Sequence, residues 1–147
     1  MSLEIIILIL MPLISWVYVV IALLNGKKIT KEIKTSNGVA LIVVFGVFAI
    51  LIMIKNHHAI GIVSAIMVFL AGFMYSCIPT GFNDTAVYVK GKEYPYKNIS
   101  EMTIENQNGK AMLTFKYRRS YHMVLTDMEN KEMLKELKST YSKEKKK

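Results

Sequence analysis

Three uninterrupted apolar runs within the first 78 residues limit what this chain can fold into more than any other feature. Residues 5–24, IIILILMPLISWVYVVIALL, hold no charged side chain over 20 positions. A helix of that length, rising about 1.5 Å per residue, spans the hydrocarbon core of a bilayer, about 30 Å thick. Residues 39–54 form a shorter run of 16, with Lys55 placed to snorkel towards water. Residues 59–78 form the third, and Pro79 ends it. Each run taken alone also fits a buried core helix. A soluble domain of this size, however, has too little polar chain to wrap three helices that are apolar on every face. Composition makes the same division: residues 1–78 hold 53 apolar and 7 charged positions, whereas residues 79–147 hold 24 and 23. The expected architecture is a transmembrane domain over 1–78, with spans at about 5–24, 39–54 and 59–78. A small α+β domain over 79–141 and a basic tail over 142–147 follow. The first run lacks a charged n-region and a cleavage site and is too long for an h-region, so it is expected to stay in the mature protein.

Lysines set the expected orientation. Residues 25–38 carry Lys27, Lys28, Lys31 and Lys34 against a single Glu32, while the loop at 55–58 carries only Lys55. Short lysine-rich loops remain in the cytoplasm, which places the N-terminus outside and everything after Pro79 inside. The later segment agrees, with 14 Lys and Arg against 9 Asp and Glu. The net charge of +8 is thus first a topology determinant of a multi-pass cell-membrane protein.

Gly61, Ala65, Gly72 and Ser76 recur at spacings of 4, 7 and 4, which keeps them within a sector of about 60° on one helix face. Small residues let another helix approach closely. The first or second span of the same chain is the expected partner, and a second copy of the chain is left open. No Asp, Glu, Lys, Arg or His lies inside the apolar runs, so a transport pathway or an intramembrane hydrolytic site is not expected.

After Pro79 the periodicity changes from helix to strand. Residues 85–90, TAVYVK, alternate, and Gly91 permits a turn into KEYPY. EMTIEN at 101–106 alternates as well, Asn108-Gly109 marks a hairpin, and AMLTFKY at 111–117 returns. Arg118-Arg119-Ser120 turns the chain into YHMVL. Thr126 with Glu129 fits a capping box for a final helix whose apolar stripe includes Met133, Leu134 and Leu137. The expectation is about five short antiparallel strands and one C-terminal helix.

The run "strand, Gly-Lys, Tyr-Pro-Tyr, Lys-Asn-Ile" resembles the bacterial pleckstrin-homology-like domains that follow membrane spans in small Gram-positive proteins. Gly91, Tyr94, Tyr96 and Ile99 carry the likeness, over residues 81–138. The resemblance implies a PH-like interaction module of about seven strands, two more than the pattern assigns.

Chemistry-bearing residues are sparse. His57 and His58 are adjacent in a short loop with no Cys, Asp or Glu nearby, too few ligands for a metal. His122 reads as a strand packing residue, and Cys77 as a small apolar filler at a helix end. No phosphate-loop, hydrolase or zinc motif occurs, so no catalytic residue, metal or cofactor is assigned. Two basic groups remain: Lys116, Arg118 and Arg119 at one hairpin end, and Lys143, Lys145, Lys146 and Lys147 in the tail. Either suits an anionic lipid surface or a protein partner. Nucleic acid is not expected, because the aromatics alternate as core residues rather than flank the lysines. The expected function is that of a non-enzymatic bacterial inner-membrane protein whose cytoplasmic domain binds a protein partner or the lipid surface. Immunity against a bacteriocin or toxin is the concrete version, and an accessory subunit of a membrane transporter or export complex is the alternative.

Overall fold

A computed structural model describes residues 3–35 and 38–146. The chain divides into two compact units. The first contains three helices, α1 (Leu3–Gly26), α2 (Gly38–Lys55) and α3 (Ala59–Ser76), each long and apolar enough to cross a membrane. Their bounds lie within two residues of the apolar runs. Ala49 is the one residue of α2 that is buried, and Ile14 and Ile54 are 67% and 63% exposed. Such exposed apolar faces are compatible with a hydrocarbon surround.

The buried face of α3 holds Gly61, Ser64, Ala65, Val68, Ala71 and Gly72. Gly72 lies against α2, where an added Cβ would overlap the Phe45 ring. The small-residue face therefore serves contact within the chain. Ser76 departs from that face: half-buried, its hydroxyl donates to the Phe73 carbonyl at 2.6 Å. Cys77 also departs from expectation, since its side chain is exposed at the C-terminal cap of α3 instead of filling a gap.

The second unit combines residues 24–35 with residues 79–146. It contains β1 (Lys31–Ile33), β2 (Thr80–Phe82), β3 (Ala86–Val89), β4 (Lys92–Pro95), β5 (Ile99–Gln107), β6 (Lys110–Tyr117), β7 (Ser120–Asp127) and a closing helix, α4 (Lys131–Glu144). Strands β1 to β4 form one antiparallel sheet and β5 to β7 a second, each in sequential order. Seven strands replace the expected five. The additions are too short to show a period of two, and β1 buries only Ile33. Pairing rather than pattern creates them.

The sheets meet at both sides. Thr35 bridges Thr126 on β7, and the Thr126 hydroxyl donates to the Lys34 carbonyl at 2.5 Å. On the other side one turn of 3-10 helix, Tyr96–Asn98, joins β4 to β5. Ile33, Tyr96, Ile99, Leu113, Phe115 and Leu137 are buried together between the sheets and α4. The segment 24–35, expected to be only a connection, is fastened here by polar bonds. Asn25 donates to the Gly91 carbonyl at 2.8 Å, Thr30 N–H to Phe82 at 3.2 Å, and Asn83 to the Lys28 carbonyl at 3.1 Å. Gly81 makes the approach possible, because a Cβ there would overlap the Lys31 carbonyl and the Ile29 side chain.

Two further expectations change. Thr126 is committed to closing the sheets and caps no helix; α4 instead starts after a 3-10 turn, behind Asn130. The helix also runs on to Glu144 where a tail was expected from 142, since Tyr141 docks on the core and Ser142 bonds back to Lys138 at 2.9 Å.

Candidate functional site

Strand pairing and the docking of α4 carry two basic groups far apart in sequence to the same end of the second unit. Lys116 is the last residue but one of β6, and Arg118 and Arg119 form its turn into β7, where Tyr117 pairs with Ser120. Arg118 takes φ 57, a left-handed conformation uncommon for a side chain of its size, and its N–H donates to the Asn98 carbonyl at 3.3 Å. Strand β5 bulges between Ile99 and Glu101. At this bulge the Tyr141 hydroxyl of α4 is shared between the carbonyls of Ile99 and Ser100, at 3.2 Å each. Lys145 holds its ammonium 5.8 Å from the centre of the Tyr141 ring, and the Ser100 hydroxyl donates to the Lys116 carbonyl at 3.4 Å. The end of α4 is thereby fixed beside the β6–β7 turn. Lys143 lies in the last turn of α4 and Lys146 just beyond it; Lys147 lies outside the described residues. Lys97 adds a further exposed cation in the 3-10 turn.

Beside these cations the outer face of β7 carries Tyr121 and Met123, 62% and 66% exposed. Tyr121 is the cross-strand partner of Lys116, whose ammonium lies 5.3 Å from the ring centre. The expectation that aromatics face only the core therefore fails at Tyr121. Strand alternation leaves the choice of face open, and the register Phe115↔His122 turns Tyr121 outward. Glu101 on β5 is the other cross-strand neighbour of Lys116.

Inside the same end, His122 stacks on Phe115 at 5.4 Å and tilts against Tyr94 at 4.7 Å. Its Nδ1 lies 3.5 Å from the Tyr94 hydroxyl. Burial lowers its pKa from the ordinary 6.5, and the nearby Lys92 charge lowers it further. The unfolded chain then takes up the proton first on acidification. Stability of this unit is expected to be full above about pH 6.5, to fall as the pH drops from there, and to level off below the folded pKa. Urea unfolding of the full chain in detergent between pH 7.5 and 5 checks this, with His122→Phe flattening the profile.

No metal-binding cluster of His, Cys, Asp or Glu occurs among the described residues. His57 and His58 lie in the α2–α3 loop, His58 at the start of α3 without a side-chain cap bond. No family model, curated protein or solved structure matches the chain.

Proposed function

We propose that this chain is a non-enzymatic, multi-pass protein of a bacterial cell membrane, whose PH-like C-terminal unit holds its basic end against the anionic inner leaflet. The observation that carries this reading is that Lys116, Arg118 and Arg119 at the β6–β7 turn stand beside the exposed Tyr121 and Met123, with the Lys145 end of α4 anchored through Tyr141 to the adjoining start of β5. Cations attract acidic headgroups, each contributing about 1 kcal/mol near the surface, while an exposed aromatic and a methionine insert at the headgroup level. The seven strands and closing helix support the PH-like assignment, being the number which that resemblance implies. Topology has its own support: β1 precedes α2 and β2 follows α3, yet the two pair in one sheet. Both must lie on one side of the membrane, and the two crossings by α2 and α3 provide for that. The lysines of residues 25–34 then make that side the cytoplasm.

A nitroxide placed by Tyr121→Cys in a Cys77→Ser background tests the reading in nanodiscs. Shielding from a water-soluble relaxation agent is expected with anionic lipid and not with zwitterionic lipid. Replacing Lys116, Arg118 and Arg119 by Ala, or raising salt to 1 M, should remove it. Equal exposure in both lipids would turn the reading from the bilayer to a protein partner.

A further inference from the structure

We propose that the cleft between the first halves of α1 and α3 binds one zwitterionic, amine-bearing phospholipid. The cleft has a volume of about 390 Å³ and is lined by Leu8, Pro12 and Leu13 from α1 and by Val63, Ser64 and Met67 from α3. Its walls are apolar with one exception. The Ser64 hydroxyl is buried, in a residue 3% exposed, and has no hydrogen-bond partner among the described residues. Serine in an apolar helix ordinarily bonds back to its own backbone, as Ser15 does to the Met11 carbonyl at 2.9 Å. Ser64 forgoes that bond, and a donor left unpaired in hydrocarbon is costly.

A second cavity, of about 180 Å³, is lined by Glu4, Leu8, Lys55 and Asn56. Leu8 lines both, so the polar cavity and the apolar cleft adjoin at that side chain. Pro12, lacking an N–H, leaves the Leu8 carbonyl without its usual helical donor at this junction. Among the described residues Glu4 and Lys55 form no ion pair with each other. The sequence of groups is a carboxylate with an ammonium, then an apolar trough, then one buried hydroxyl part of the way along it. An amphiphile matches this order. Its phosphate faces Lys55, its amine faces Glu4, one acyl chain fills the trough, and an ester carbonyl accepts the Ser64 hydroxyl. Ser64 stands five residues into α3, about 7–8 Å along the axis, where ester groups meet hydrocarbon. A purely anionic headgroup would set its charge against Glu4. The occupant is therefore zwitterionic.

The assignment rests on the helices lying in a bilayer but not on docking by the basic end. The full chain is reconstituted in vesicles of equal phosphatidylethanolamine and phosphatidylglycerol, extracted gently and weighed by native mass spectrometry. One phosphatidylethanolamine per chain is expected to be retained. Ser64→Leu, which fills the trough and removes the donor, should strip it. Glu4→Gln, at an exposed helix end, should lower the preference over phosphatidylglycerol by about threefold. A chain that carries no phospholipid, prefers phosphatidylglycerol, retains as much lipid with Ser64→Leu, or holds a peptide instead would overturn the proposal. A chain that never enters the vesicles would overturn the membrane reading as well, and its absence from the vesicle fraction shows this separately.

Discussion

A fragment comprising residues 79–147 is expected not to fold cooperatively, although composition alone marks it as a complete domain. It lacks β1, and with it Ile33, which is 1% exposed in the core. Losing that burial costs about 2–3 kcal/mol. The Thr126 hydroxyl, fully buried, also loses its acceptor at Lys34. An orphaned donor of this kind costs about 1–3 kcal/mol. Together these losses approach the whole stability of a small domain, about 5 kcal/mol. The edge of β2 is uncovered as well, which invites aggregation. Ile33 pairs with Thr80 in an antiparallel register, so a short turn joining Thr35 to Pro79 would close β1 and β2 into a hairpin. That joined chain, spanning residues 24–35 and 79–146, is expected to unfold in one sharp urea transition, in contrast to the fragment. Equal cooperativity of the two by circular dichroism would show that β1 is dispensable.

The second large effect concerns the helical hairpin. Gly72→Val should destabilise α2–α3 packing by about 2–3 kcal/mol, because the new side chain enters space held by the Phe45 ring. Thermal unfolding of the full chain in detergent measures this. Phe45→Ala combined with Gly72→Val is expected to recover much of the loss, and the coupling identifies the contact. An unchanged midpoint for Gly72→Val alone would mean that the two helices do not meet at this point.

These outcomes divide what is local from what is not. The three helices were legible because apolar runs of such length have few alternatives. The hairpins at Asn108-Gly109 and at Arg118-Arg119 were legible because turn residues act over two positions. Lys116, Arg118 and Arg119 could be grouped for the same reason, since they share one turn. That the Lys145 end of α4 is anchored near this turn was not legible. It depends on Tyr141 reaching the bulge at Ser100, a contact across 41 residues. Tyr121 likewise gave no sign of facing outward, because alternation identifies two faces without saying which one the core takes.

By itself the sequence determined the helices, the strand-rich character of the charged half and the segments in which the lysines gather. Each of these follows from hydrophobicity and charge summed over neighbouring residues. Only the tertiary structure decided that residues 31–33 are a strand, that this strand pairs with the charged half, and that Ser64 lines a cleft with no partner among the described residues. Those facts depend on pairing and packing between segments, and for them separation along the chain carries no information.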